Sequence, residues 1–282
     1  MNALERIVAM KRDEVQARRR EVPVAELEPL AERRRGELRP FAAALARPGL
    51  SLIAEHKRSS PSAGVIREGL AIEEVVEAYE RGGAAALSIL TEGPSFDGAL
   101  ADLQSARDAT ALPLLRKDFI VDPYQVTESL AAGADAILLI VAALTPAELS
   151  GLYESARTLG LAVLVEVHDS HELDEAVAVG AEIVGINNRD LTTLAVDTAR
   201  TFELLAGVPE GATVVAESGF RTRAELDQLE RAGVNAVLVG EALMRSPEIE
   251  SACRALAGGR PLVGEQPSIA HGGTIDGSVP AV

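Results

Sequence analysis

A carboxylate and an ammonium group two residues apart, Glu55 and Lys57, close the short apolar run Leu52-Ile53-Ala54. With Gly64 downstream, the run reads as a strand that ends in a loop. Residues i and i+2 of a strand share a face, so the acid and the base project side by side. Such a pair can move protons or clamp an anion, or it can be an ordinary solvated strand end. Recurrence decides between these readings. Arg116-Lys117-Asp118, Glu166 and Glu217-Ser218 each follow an apolar run directly, where an unneeded charge costs stability. Asn187 and Arg189 repeat the i, i+2 spacing. Neighbouring carboxylates keep Lys57 and Lys117 protonated, which suits a general acid or an anion clamp better than a base. Crowding and burial raise carboxyl pKa values, so one of Glu55, Glu166 and Glu217 can carry a proton near neutral pH. This set fits proton transfers on a phosphorylated, sugar-like substrate, with no metal or redox cofactor.

Groups gathered from so many parts of a chain need a scaffold that brings strand ends together. From residue 50 onward, short apolar runs near 51–55, 85–90, 113–117, 135–140, 161–166, 182–187, 212–217 and 235–240 alternate with amphipathic segments. Those segments lie near 72–81, 99–108, 123–132, 146–158, 170–179, 198–206, 222–231 and 248–257. Eight βα units at short spacing imply a parallel sheet closed into a (βα)8 TIM barrel. An internal repeat supports closure. Gly83-Ala84-Ala85, Gly133-Ala134-Asp135, Gly180-Ala181-Glu182 and Gly233-Val234-Asn235 introduce the even strands at a period of roughly 50 residues. Each supplies a glycine where a helix stops. The charged ends belong to the odd strands, and in such a barrel they converge at the C-terminal mouth.

Three segments are expected: a helical N-terminal extension over 1–48, the barrel over 49–258, and a flexible Gly- and Pro-rich tail over 259–282. In the extension, Leu4, Ile7 and Val8 mark an amphipathic helix, followed by a heavily charged stretch from Lys11 to Arg20, a second helix over 24–35, and Phe41 to Leu45. It reads as a cap on the body or as a lid over one end of a site. Aromatic residues make up only 3% against 47% hydrophobic, so the core is aliphatic, as in sheets buried on both faces. The net charge of −16 argues against nucleic acid and anionic membranes as partners. The absence of a signal-peptide pattern or long apolar run makes a cytoplasmic protein the expectation. The lone Cys253 reads as a packed thiol. No Walker A loop, GxGxxG or paired His or Cys ligands occur. His56 should face away from the site, whereas His168 could reach the mouth.

An anionic substrate must then be held by local groups. Ser218-Gly219 after the seventh strand and Gly240-Glu241 after the eighth offer backbone N–H groups, with a short helix expected over 241–245. Phosphate sites of such barrels lie at these loops.

These motifs, in order, resemble the indole-3-glycerol phosphate synthase family. They are Glu55-His56-Lys57-Arg58-Ser59-Ser60-Pro61-Ser62, Leu90-Thr91-Glu92, Leu115-Arg116-Lys117-Asp118-Phe119, Glu166-Val167-His168, Gly185-Ile186-Asn187-Asn188-Arg189, Glu217-Ser218-Gly219 and Gly240-Glu241-Ala242. The resemblance covers about residues 1–257. It implies a carboxy-lyase of tryptophan biosynthesis that converts 1-(2-carboxyphenylamino)-1-deoxyribulose 5-phosphate to indole-3-glycerol phosphate, releasing CO2 and water. It also implies roles. Lys117 would be the general acid at the ketone, Glu166 a second acid/base and Glu55 a partner in dehydration. Lys57 and Arg189 would hold anionic groups, and Asn187 and Glu217 would complete the catalytic pocket. Ser60, Ser218, Gly219, Gly240 and Glu241 would line the phosphate end, and Leu90, Phe96, Phe119, Leu138 and Leu191 would meet the aryl ring. Two other readings stand beside it: another phosphate-binding barrel enzyme, such as an aldolase using Lys117 as a Schiff base, and a non-enzymatic scaffold on the same fold.

Overall fold

In the computed structural model, which describes residues 3–258, the eight expected runs are eight strands. They are β1 (Ser51–His56), β2 (Ala86–Leu90), β3 (Leu114–Lys117), β4 (Ala136–Ile140), β5 (Ala162–Val167), β6 (Ile183–Asn187), β7 (Thr213–Glu217) and β8 (Ala236–Val239). Each pairs in parallel with its sequence neighbours, and β8 pairs with β1, so the sheet closes into a barrel. Parallel strands need a crossover, and a helix returns the chain after each strand, beginning with α4 (Ile72–Arg81), α5 (Leu100–Ala109) and α6 (Pro123–Ala131), labelled after the three helices that precede β1. Gly83, Gly133, Gly180 and Gly233 take φ of +86°, +97°, +73° and +94°. A left-handed turn of that kind is what the repeated glycine is for.

The strand period of two sorts the side chains into layers. Ile53, Leu115, Leu164 and Val215 of the odd strands pack inside the barrel with Ala86, Ala136, Leu138, Ile183, Ala236 and Leu238 of the even ones. Two residues further along the odd strands stand Glu55, Lys117, Glu166 and Glu217. The site is thus the next layer above an apolar plug, and strand periodicity alone puts it there. The residues of opposite parity face the surrounding helices in a second, larger apolar shell.

The N-terminal extension closes both ends. α1 (Ala3–Glu21) brings Leu4, Ile7 and Val8 into the interior cluster near Phe119 and Ile140, while α3 (Phe41–Leu45) inserts Phe41 and Leu45 into it. Between them, α2 (Val24–Arg35) packs on α6. The extension therefore serves as cap and as wall. A two-residue antiparallel hairpin, Ser59–Ser60 with Gly64–Val65, and a single 3-10 turn at Val141–Ala143 had no counterpart in the sequence reading. The tail expected over 259–282 lies outside the described residues.

Candidate active site

The C-terminal mouth of the barrel holds a pocket of about 370 Å³, and all seventeen residues singled out above line it. Apart from the α1 residues, the lining comes from strand ends and the loops that follow them. Lys117 Nζ donates to Glu166 Oε2 at 2.9 Å and to Glu217 Oε2 at 3.0 Å, so β3, β5 and β7 meet on one ammonium group. Lys57 Nζ lies 2.7 Å from Glu55 Oε1, the side-by-side pair expected from their spacing. Asn187 Nδ2 donates to Glu166 Oε1 at 3.0 Å, and Asn187 Oδ1 accepts the Arg189 N–H at 3.0 Å. Arg189 Nη1 donates to Leu194 O at 3.0 Å, which holds the guanidinium beside the mouth.

Two glycines make room for the carboxylates. A Cβ on Gly185 of β6 would overlap Glu217 Oε1, and a Cβ on Gly240 after β8 would overlap Glu55 Oε1. Each carboxylate occupies the volume that the neighbouring strand leaves empty.

Burial opposes charge on Glu217 and Glu166 alike, and the partners decide the outcome. For Glu217, burial and the nearby Glu166 outweigh Lys117 and push the carboxyl up to about 7. Its Oε1 is buried and has no hydrogen-bond partner among the described residues. For Glu166, burial is overcome by Lys117, then by His168 and Asn187, and the group is held well below the usual carboxylate range. Burial also opposes the Lys117 ammonium, but Glu166, Glu217 and Glu55 raise it far above an ordinary lysine. One ammonium, one carboxylate and one carboxyl group able to hold a proton near neutrality therefore share the centre.

His168 sits behind Glu166, with Nε2 3.4 Å from Glu166 Oε1 and Nδ1 2.9 Å from Glu172 Oε2. Burial disfavours its imidazolium, yet Glu166 and Glu172 outweigh burial and raise it from 6.5 to about 10. A group raised on folding stabilises fully below its unfolded pKa and loses that contribution as pH rises through the folded one. Thermal unfolding should therefore show the parent losing roughly 5 °C more than His168→Gln between pH 6.5 and 10, the scale of 1–2 kcal/mol in a domain of this size. Parallel curves for the two proteins would mean that His168 is neutral in the fold. Neither His168, which was expected to be able to reach the mouth, nor His56 lines the pocket, and burial with the nearby Arg58 lowers His56 to about 4.

The rest of the lining falls into two ends. Leu90, Phe96, Phe119, Leu138 and Leu191 form an apolar side, joined by Leu4 and Ile7 of α1, which the sequence reading did not place there. Ser60 is buried in the loop after β1, and its Oγ accepts the Ala63 N–H at 3.2 Å. Arg58 ties that loop to α5 through two bonds to Asp102 at 2.6 and 2.7 Å. Ser218 and Gly219, expected with Ser60 at the phosphate end, both take positive φ, +63° and +97°. Glu241 opens a four-residue helix, Glu241–Met244, and its carboxylate pairs with Arg245 at 3.0 Å. Two charged lining residues, Glu92 and Arg221, are among those the sequence reading left out of the site. Glu92, buried after β2, accepts the Ser95 and Phe96 N–H groups at 2.8 and 3.1 Å. Its signal was available, a charge just past an apolar run, but on an even strand. Arg221 adds an exposed cation two residues past Gly219.

A closed (βα)8 barrel with paired lysines and glutamates at its C-terminal mouth defines a barrel enzyme equipped for acid–base chemistry. The family described as Indole-3-glycerol phosphate synthase matches residues 4–256, and the chain belongs to that family. The indole-3-glycerol phosphate synthase of Aromatoleum aromaticum is 49% identical over 261 residues, spanning 90% of this chain and 98% of that protein. That of Rhizorhabdus wittichii is 47% identical, over 92% of this chain and 99% of that protein. A solved 3-hexulose-6-phosphate synthase superposes with a TM-score of 0.58 at 15% identity, covering 74% of this chain and 99% of that one, a likeness of fold. Among the described residues no helix is long and apolar enough to cross a membrane.

Proposed function

We propose that the pocket carries out the family's reaction with its proton transfers divided among the residues described above. The activity is that of a carboxy-lyase of tryptophan biosynthesis. It converts 1-(2-carboxyphenylamino)-1-deoxyribulose 5-phosphate to indole-3-glycerol phosphate, CO2 and water. One observation carries the division of roles: a single ammonium group bonded to two buried carboxyl groups of opposite protonation tendency.

Ring closure joins the arene carbon that bears the carboxylate to the ketone carbon. Lys117 gives its proton to the ketone oxygen as charge develops there. The bond to the carboxylate then breaks, its electrons restore the arene, and CO2 leaves. Dehydration follows: the new hydroxyl departs as water with a second proton, and the adjacent carbon gives a proton to a base. Glu166, held ionised, suits the base. Glu55, paired with Lys57, and Glu217, able to hold a proton, face the departing hydroxyl. Lys57 and Arg189 hold the substrate's anionic groups. Two protons are given and one is taken, so each turnover draws one proton from solvent.

The aryl ring fits the side lined by Leu90, Phe96, Phe119, Leu138 and Leu191. The phosphate belongs at Ser60, Ser218, Gly219, Gly240 and Glu241, of which the last four lie in the loops after the seventh and eighth strands, where barrels of this fold hold phosphate. Since the Glu241 carboxylate is taken by Arg245, its share is its backbone. A helical extension over 1–48, a catalytic barrel over 49–258 and a tail over 259–282 complete this reading. Turnover of the carboxyphenylamino substrate, followed by indole fluorescence, is the direct test. Product at the rate of the buffer blank would refute it, and a borohydride-trapped adduct on Lys117 would replace it with an aldolase mechanism.

A further inference from the structure

The charged stretch of α1 has a partner that the reaction does not use. Lys11, Glu14 and Arg18 fall on one helical face by their i, i+3, i+7 spacing. Lys11 Nζ lies 2.8 Å from Glu14 Oε2 and 3.1 Å from Asp118 Oδ1. Asp118 Oδ2 pairs with Arg116 at 2.9 Å, and Arg116 pairs with Glu128 of α6 at 2.9 Å. Glu128 meets Arg18 at 3.2 Å, and Arg18 returns to Glu14 at 3.1 Å. The six charges alternate in sign around a closed, neutral ring. Lys11, Arg116, Asp118 and Glu128 are each no more than 3% exposed.

Two members of this ring are the chain neighbours of Lys117. Asp118 also accepts the Phe119 N–H at 2.9 Å and the Thr91 hydroxyl at 2.7 Å, and Arg116 Nε donates to the same hydroxyl at 3.0 Å. The backbone on either side of Lys117 is therefore held by side chains whose charges balance only when Lys11 is present. Without it, Asp118 keeps one cation and the ring carries excess negative charge in a buried place.

We propose that Lys11 is a positioning residue for catalysis: acting through Asp118, it fixes the β3 end so that Lys117 and Phe119 meet the substrate in register. This rests on Lys117 being the general acid, and it makes α1 part of the catalytic frame as well as a wall. Displacing a catalytic group by about 1 Å costs up to roughly 10²-fold in rate, so partial release of β3 should act on kcat more than on KM.

The test compares Lys11→Met, Lys11→Arg and Arg12→Met in the full chain, at a temperature where circular dichroism shows all of them folded. Arg12 lies beside Lys11 and docks the same helix through Glu148 at 2.8 Å, but it stands outside the ring. Lys11→Met should lower kcat about 10-fold or more, with KM changed less than about 3-fold. Lys11→Arg should recover part of the loss, and Arg12→Met should lower Tm while leaving kcat near the parent value. Should Lys11→Met fail to fold, Lys11→Gln, which keeps a donor without the charge, is read in the same way. The proposal is overturned if a folded Lys11 variant keeps the parent kcat and only Tm falls, or if Arg12→Met loses as much kcat as Lys11→Met. Lys117→Met separates the two claims, because full activity in that variant removes the acid assignment whatever Lys11 does.

Discussion

Replacing Lys117 by methionine should cut kcat at least about 10²-fold, the scale of a lost general acid, and leave a folded barrel. The fold should survive because the two carboxyl groups that Lys117 bridges can answer its loss by sharing a proton. Glu217 already lies near the neutral form in the parent. Methionine fills similar space, so the apolar layer at Leu115 and Leu164 stays packed. KM should change far less than kcat, since binding falls to Arg189, the apolar side and the phosphate end. Steady-state turnover with a far-ultraviolet dichroism spectrum of each protein measures both quantities. Near-normal turnover in a folded variant would remove Lys117 from the chemistry.

Gly219→Val should raise KM about 10-fold or more, in proportion to how far the seventh-strand loop is forced to move. Two independent strains act there. Gly219 sits at φ +97°, which a β-branched residue does not adopt without strain, and its Cβ would stand 2.7 Å from Thr198 Cγ2 and 2.8 Å from Val196 Cγ1. The Lys117 centre draws its groups from β3, β5 and β7 themselves, below that loop. Inorganic phosphate should compete with substrate in the parent and compete much less in the variant. Equal competition in both would place the anion elsewhere on the rim.

Much of this site could be read from the chain because its geometry is local. Glu55 and Lys57 are two residues apart at the end of one strand, Lys57 just past it, and they do pair. The odd-strand charges could be assigned to one rim because period-two alternation and barrel closure leave them no other place. What could not be read is what meets across the barrel. Nothing in the order of residues says that Lys117 joins Glu166 and Glu217 rather than Glu55 and Lys57. Leu4 and Ile7 read as the apolar face of a helix, and only docking shows which surface that face covers. Glu92 escaped because the charged-end pattern was followed on odd strands alone. The ring through Lys11 and Arg116 joins residues more than a hundred positions apart, and the sequence showed only a charged stretch in α1 and strand-end charges at Arg116 and Asp118.

Gly185 and Gly240 carry a consequence for how such a chain can drift. Each is paired with a carboxylate one strand away that fills the space of its missing methyl group. Alanine at position 240 while Glu55 is intact would evict that carboxylate from the rim, although the new methyl group performs no chemistry. Shortening Glu55 first would take the carboxylate out of that space and leave its Cβ 3.0 Å away, a contact that a shift of a few tenths of an ångström relieves. On packing alone the easier order is carboxylate first and glycine second, but that first step removes a group the proposed reaction uses, so each pair is held together. The same coupling joins positions 217 and 185. Family members with a side chain at either glycine position should be those whose partner carboxylate has already been shortened or lost.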